Sequence, residues 1–236
     1  MKGRAPFAVD VWFIDLNPPL RRLNELQSLL SSDERQRAER LHFPDHRRRS
    51  TVASATRRLL LAPYLKMPPE EIPFSLGPHG KPFIADSNWH FNLSHSNDLA
   101  LMAICEGFEV GIDIEYWRSR INIDGLVNRV CSAREEQEFL QLPSSQHIAS
   151  FYKVWTCKEA FVKAIGKGML YGLSDIEVEV NPAKPARLIK AIVSDINLDQ
   201  FFIRSLDVPV DYSAHLVVNT RTKADSLLLH LTYRYC

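Results

Sequence analysis

Residues 108–117 read FEVGIDIEYW. Apolar and other side chains alternate from Phe108 to Ile114, and a strand turns such an alternation into two faces. Phe108, Val110, Ile112 and Ile114 share one face, the core side. Glu109, Gly111, Asp113 and Glu115 share the other. Asp113 and Glu115 therefore project the same way, about 6.6 Å apart at the backbone by strand rise. Two acids on one face repel unless a cation lies near them. A hard cation such as Mg²⁺ suits an oxygen site of this kind, with one or two carboxylates plus substrate phosphates. A half-exposed strand with its polar side in water accounts for the same alternation.

Around this strand the chain reads as α+β rather than as βαβ repeats. Residues 7–16 form a strand that NPP at 17–19 ends. Leucines at helical spacing mark 20–30, and SSDER at 31–35 starts a helix with a serine N-cap and acids in its first turn. Residues 47–65 are a second, charged-then-apolar helix. LGPHGKPFI at 76–84 is turn-rich. WHFNLSHSNDLALMAI at 89–104 is strand, polar interruption, strand. Residues 105–107 read as a short hairpin connection with 108–115 as the return strand. Helix resumes from about Val127. Ser132 with Glu135 three residues on is a capping box, and SFYKVWTCKEAFVKAIGKG is a long helix ended by Gly166 and Gly168. The remainder is mostly strands, and the two-part chain has its joint near residues 105–113.

At 236 residues the chain can bury a sizeable core. Its formal net charge of +1 steers it to neither nucleic acid nor membrane, so any anion site is a local cluster. No stretch approaches the roughly 18–20 apolar residues of a transmembrane helix, and Asp10 and Asp15 interrupt the N-terminal apolar run. Four scattered cysteines fit a reducing compartment. A cytoplasmic protein is expected.

Three further stretches carry candidate chemistry. On a helix at about 100° per residue, Val154, Cys157, Phe161, Ala164 and Ile165 of WTCKEAFVKAIGKG form an apolar arc. Lys158 falls inside it, where a lysine is costly unless it snorkels or meets an anion. Glu159 and Lys163 lie one turn apart at the edge of the arc, either as a surface pair or as a carboxylate and cation at a site. In FNLSHS, Asn92 and Ser94 point opposite to Phe91 and Leu93, and a serine–histidine pair near Lys81 of HGKPF suits phosphate contacts. A structural His95 is the alternative. HRRRST at 46–51 can clamp a phosphate or form a solvated helix face.

In this order, an arginine cluster, GKP, FNLSHS, GIDIE and WxxKEAxxKxxGxG, the chain resembles the Sfp-type 4′-phosphopantetheinyl transferases. These enzymes move the phosphopantetheine arm of coenzyme A onto a serine of a carrier protein. The resemblance runs from about residue 31 to 173. It implies an α+β fold of two similar α/β subdomains in one chain, related by a pseudo-twofold, with mostly antiparallel sheets and packed helices. Residues 1–110 would be the N-terminal subdomain, with the coenzyme A nucleotide contacts. Residues 111–236 would be the C-terminal subdomain, with the metal site and the carrier docking surface.

The resemblance also implies roles. Asp113, Glu115 and Glu159 would bind Mg²⁺, or Mn²⁺, with the pyrophosphate of coenzyme A, the co-substrate. Lys158 and Lys163 would contact the phosphates. Ser94 and His95 would hold the nucleotide side, and Lys81, Arg49 and Ser50 the adenine and ribose-phosphate end. Arg37 matches another basic contact to the 3′-phosphate. Glu34 stands where relatives often have a lysine, which leaves Arg35 or Arg37 to make that contact. The carrier serine would attack the β-phosphorus and release 3′,5′-ADP, with Glu159 as base, Lys163 countering phosphate charge and Asp113 at the metal. The partner would be an apo acyl carrier protein or a carrier domain of a polyketide or nonribosomal peptide synthase. It would dock on segment 116–142, with Arg118, Arg120, Arg129 and Leu126, against a monomeric enzyme. A module that binds coenzyme A or carrier without turnover, and a Mg²⁺-dependent phosphodiesterase or nuclease, would use overlapping residues. The neutral net charge and the lack of a second set of acids weigh against the last.

Overall fold

The computed structural model describes residues 5–118, 122–168, 172–192, 196–221 and 227–236. The first half runs β1 (Ala5–Asp15), α1 (Leu20–Ser28), α2 (Ser32–Glu39), α3 (Pro44–Leu65), the β2 (Phe74–Leu76) and β3 (Pro82–Ile84) hairpin, β4 (Trp89–Ser96) and β5 (Leu99–Glu106). The second half follows the same plan. It has β6 (Glu109–Tyr116), α4 (Ile123–Val130), α5 (Ala133–Leu140), α6 (His147–Ile165), the paired β7 (Ile176–Val178) and β8 (Leu188–Ala191), then β9 (Phe201–Ser205) and β10 (Tyr212–Asn219). Each half pairs its first strand with its last, and its last with the one before. The orders are β1–β5–β4 and β6–β10–β9, antiparallel throughout. The two halves are thus similar in topology, although no repeated motif is visible in the sequence.

β11 (Leu227–Tyr235) breaks the repeat. It pairs in parallel with β1 at the far edge of the first sheet. The last strand of the sequence therefore completes the sheet of the first half.

Alternation along the strands builds the layers. In β1, Val9, Val11 and Phe13 face one way, where they pack with Val110, Ile112, Ile114, Leu216 and Val218 of the second sheet. Trp12 and Ile14 face the other way, where Val52, Ala55 and Leu61 of α3 cover them together with Phe91 and Met102. On the outer side of the second sheet, Val217 and Phe201 pack with Val154, Cys157 and Phe161 of α6. The order of layers is helix, sheet, sheet, helix.

The expected hairpin between β5 and β6 does not form. β5 already pairs with β1 on one edge and β4 on the other, so it has no ladder left to offer. Gly107, at φ +81°, turns the chain out of that sheet and β6 opens the next one.

β6 and β4 nevertheless run side by side, joined through side chains. Asn92 Oδ1 accepts from the Ile112 amide at 2.8 Å, and Ser96 Oγ accepts from the Tyr116 amide at 3.1 Å. These two amides of β6 would otherwise be buried or half-buried donors without a ladder partner. The polar face of NLSHS therefore stitches one half of the chain to the other.

Candidate active site

The site lies on the outer face of β6 where α6 crosses it. Gly111 sets the approach. A Cβ there would fall 2.0 Å from the Ala160 carbonyl oxygen and 2.4 Å from the Ala164 nitrogen, so only a glycine lets the helix backbone lie this close. Asp113, two residues on, then meets the helix side chain one turn after Glu159. Lys163 Nζ donates to Asp113 Oδ1 at 2.6 Å and to Ser94 Oγ at 2.9 Å. Ser94 Oγ in turn donates to Asp113 Oδ1 at 2.7 Å. Three stretches far apart in the chain, FNLSHS, GIDIE and WxxKEAxxK, thus converge on one carboxylate.

The other two acids flank it. Glu115 is half-buried and accepts from Ser96 Oγ at 2.6 Å. Glu159 is half-buried on α6. Burial raises the pKa of both, and the charge of Asp113 raises it further. Asp113 Oδ2 is buried and has no hydrogen-bond partner. Lys163 covers only Oδ1, so the orphaned Oδ2 and the two neighbouring acids are left short of positive charge, and an all-oxygen donor set suits a hard divalent cation. The residues present fit such an ion. Among the described residues no three of the His, Cys, Asp and Glu side chains already stand as a closed ligand set. Lys163 and the two serines occupy part of the carboxylates' capacity.

Lys158, expected at the phosphates, is turned the other way. It is fully buried and donates to Glu135 Oε2 and to the carbonyls of Val130, at 2.6 Å, and Leu173, at 3.0 Å. An ammonium has three donors, and all three are in use. Its anion is Glu135, the capping-box acid of α5, which also bonds the Val178 amide at 2.7 Å and the Ser132 amide at 2.8 Å. The pair rivets α6 to α5, to the turn at Leu173 and to the end of β7 at Val178.

Ser94 and His95, adjacent in a strand, face opposite ways. Ser94 is committed inward to Asp113 and Lys163. His95 is exposed on the other face. Desolvation by its neighbours, then the charges of Lys163 and Arg49, hold its imidazole below the ordinary value. An arriving phosphate would oppose that effect. Arg49 Nε donates to Asp98 Oδ1 at 2.9 Å and its Nη2 to Asn97 Oδ1 at 3.1 Å, which keeps it beside the β4–β5 turn. Ser50 is half-exposed on α3. Arg37 is exposed on α2, where its Nε donates to the Asp33 carbonyl of its own helix.

Glu34 has a structural reason to be an acid. It closes a capping box with Ser31 and receives Arg57 and Arg58, both at 2.7 Å. A lysine at that buried position would face two arginines.

Lys81 reaches across from the β2–β3 hairpin to β6. Its Nζ donates to Glu109 Oε2 at 2.8 Å and to the Val110 carbonyl at 3.0 Å. Burial alone would raise the Glu109 pKa, but His90 and Lys81 outweigh it and bring it down to about 2. Lys81, His79 and Gly166 are shared by two adjoining cavities. One, of about 260 Å³, is lined by Glu159, Lys163 and Asn92. The other, of about 750 Å³, is walled by Trp89, Phe91, Ile165 and Phe201.

Two contributors were not singled out from the sequence. Ser96 shares a strand face with Asn92 and Ser94, so the alternation already pointed to it. His215 sits opposite Asp113 in the β10–β6 register and holds α6 through Thr156 Oγ1, at 2.7 Å. No local pattern marks it. In the expected docking segment, Arg118 and Arg129 are exposed, but Leu126 packs against the core that holds Val154, Cys157 and Phe161 of α6, and Arg120 lies outside the described residues.

Comparison with known proteins identifies the family. The family described as the 4′-phosphopantetheinyl transferase superfamily matches residues 109–214, and the 4′-phosphopantetheinyl transferase N-terminal family matches 15–106. The chain is 40% identical over 184 residues to the 4′-phosphopantetheinyl transferase HetI of Nostoc sp., covering 76% of this chain and 77% of that one. It is 33% identical over 184 residues to the 4′-phosphopantetheinyl transferase psf-1 of Bacillus pumilus, with 77% of each chain covered. It is 28% identical over 155 residues to the 4′-phosphopantetheinyl transferase Sfp of Bacillus subtilis, covering 65% of this chain and 68% of that one. GIDIE and KEA lie inside the first matched range and FNLSHS inside the second, and the chain belongs to the 4′-phosphopantetheinyl transferase family.

Proposed function

We propose that this transferase moves the 4′-phosphopantetheine group of coenzyme A to a serine hydroxyl of an apo acyl or peptidyl carrier protein and releases 3′,5′-ADP. The observation that carries the reading is the convergence of Ser94, Asp113 and Lys163, with Glu159 one helical turn away at the mouth of a cavity. In this reading the pyrophosphate lies against Lys163 and the carboxylates. The nucleoside end lies toward Lys81, and the 3′-phosphate on the side of Arg49 and His95.

Asp113, Glu115 and Glu159 would hold a divalent cation, Mg²⁺ or Mn²⁺. When bound, it supplies positive charge to the phosphoryl oxygens and offsets the repulsion among the three acids. The chain's own groups do the rest. Lys163 donates to oxygens whose charge grows as the serine oxygen approaches the β-phosphorus. Glu159, on α6 beside Lys163, accepts the serine proton. A bond forms from the serine oxygen to phosphorus, and the bond from that phosphorus to the bridging oxygen breaks. The electron pair leaves on 3′,5′-ADP.

Incubation with coenzyme A, Mg²⁺ and an apo carrier, followed by intact mass measurement of the carrier, tests the reading. A mass gain of one phosphopantetheine group is expected. No gain on fatty-acid, polyketide or nonribosomal-peptide carriers would refute it.

A further inference from the structure

Across the seam between the halves, Ser96 stands in a particular relation to Glu115. Its hydroxyl donates to Glu115 Oε2 at 2.6 Å while its oxygen accepts from the Tyr116 amide at 3.1 Å. The serine is buried, whereas Glu115 is half-exposed on the strand end that faces the site. A hydroxyl with one proton and two lone pairs is thereby aimed. The backbone amide of β6 fixes the oxygen, so the proton has one direction left, toward the carboxylate. The contact holds Oε2 and leaves Oε1 outside it.

The same device recurs two residues back. Ser94 Oγ donates to Asp113 Oδ1 and leaves Oδ2 without a hydrogen-bond partner. Asn92 Oδ1, two residues further back, takes the Ile112 amide. β4 therefore presents a polar row at a spacing of two, in step with a carboxylate spacing of two on β6. Each serine takes one oxygen of one acid. A long, flexible glutamate gains more from such a hold than a short aspartate does, because it has more rotamers to lose on binding an ion.

We propose that Ser96 is a positioning residue: it holds Glu115 across the seam with one carboxylate oxygen fixed and the other turned to a divalent cation. The inference rests on the reading of Glu115 as a metal ligand, and it adds the group that orients that ligand. Outer partners of this kind set the affinity of a metal site, and losing one costs about 10–100-fold.

The test is Mn²⁺ binding in the presence of coenzyme A, followed by electron paramagnetic resonance, on wild type, Ser96→Ala, Ser96→Thr and Glu115→Gln. Coenzyme A affinity and thermal unfolding are measured alongside. Ser96→Ala is expected to weaken Mn²⁺ about tenfold or more, with unchanged coenzyme A affinity measured without metal. Ser96→Thr, which keeps the hydroxyl and suits a strand, restores wild-type Mn²⁺ affinity. Wild-type Mn²⁺ binding in Ser96→Ala together with a loss in Glu115→Gln overturns the proposal and leaves the metal reading standing. Unchanged binding in Glu115→Gln overturns the metal reading itself. If Ser96→Ala does not fold, Ser96→Thr and Ser96→Cys decide. A cysteine keeps the size but donates weakly, so wild-type affinity in Ser96→Cys also refutes the proposal.

Discussion

His215 gives the fold a pH dependence that can be isolated. Its ring is buried between Thr156 Oγ1, 2.7 Å from Nδ1, and Ser205 Oγ, 3.0 Å from Nε2. Thr156 Oγ1 already donates to the Tyr152 carbonyl at 2.7 Å, so it accepts from Nδ1–H. Ser205 then donates to Nε2, and the imidazole is held neutral in one tautomer. Burial, and next the charge of Lys153, lower its pKa from 6.5 to about 3. An unfolded chain takes up the proton near 6.5 and the folded chain only near 3. Between those values the unfolded state binds more protons, so stability falls as pH falls. From pH 7 to pH 5 the loss is about 2 kcal/mol. Urea unfolding of wild type and His215→Gln at both pH values reads it. The variant lacks this titration, so wild type should lose about 2 kcal/mol more than the variant over the same interval. Other groups, including Glu115 and Glu159, titrate in both proteins and cancel in the difference. Equal losses in the two proteins would refute a buried neutral His215.

Three further outcomes follow from contacts around α6. Gly111→Ala pushes a methyl group into the Ala160 carbonyl and should cost about 1–3 kcal/mol; the turnover number should fall with it, because the displaced helix carries Glu159 and Lys163, and an unchanged melting temperature would contradict the close approach. Lys158→Met leaves Glu135 buried without its cation and should cost about 3–5 kcal/mol, while the folded fraction keeps the wild-type KM for coenzyme A. A raised KM with intact stability would return Lys158 to the phosphates. Glu159→Gln should lower kcat far more than coenzyme A affinity measured by calorimetry, and equal losses in both would make Glu159 a ligand without a base role.

The reach of sequence reasoning here follows the range of each interaction. The faces of FEVGIDIEYW were legible because alternation depends only on neighbouring residues, and Val110, Ile112 and Ile114 are indeed buried on one side. The capping boxes at Ser31 and Ser132 were legible for the same reason. Lys158 was half legible. Helical angles placed it in the apolar arc, but they could not show that its anion is Glu135, 23 residues earlier. A resemblance filled that gap with a phosphate, and packing filled it otherwise. Strand pairing was the least legible. A tight turn after β5 reads as a hairpin in any local window, and only the presence of β1 and β4 on both edges of β5 forbids it.

That refused hairpin is also what makes the site. Had β6 paired with β5, its amides would have been spent on a backbone ladder and its acids would have belonged to one sheet. Instead β6 opens a second sheet beside the edge of the first, and part of its backbone need is met by Asn92 and Ser96. Side chains that satisfy a backbone can also reach the acids that alternate with it: Ser96 bonds both the Tyr116 amide and Glu115, and Ser94 beside it bonds Asp113. One half of the chain supplies hydroxyls, and the other supplies carboxylates and the helix with Glu159 and Lys163. Neither half alone satisfies its own polar groups along the seam. Separation would leave the Ile112 amide and the Glu115 carboxylate without Asn92 and Ser96, and Asp113 with Lys163 but not Ser94. The duplicated topology therefore yields one site rather than two, because the seam is a single junction between unlike faces of β4 and β6.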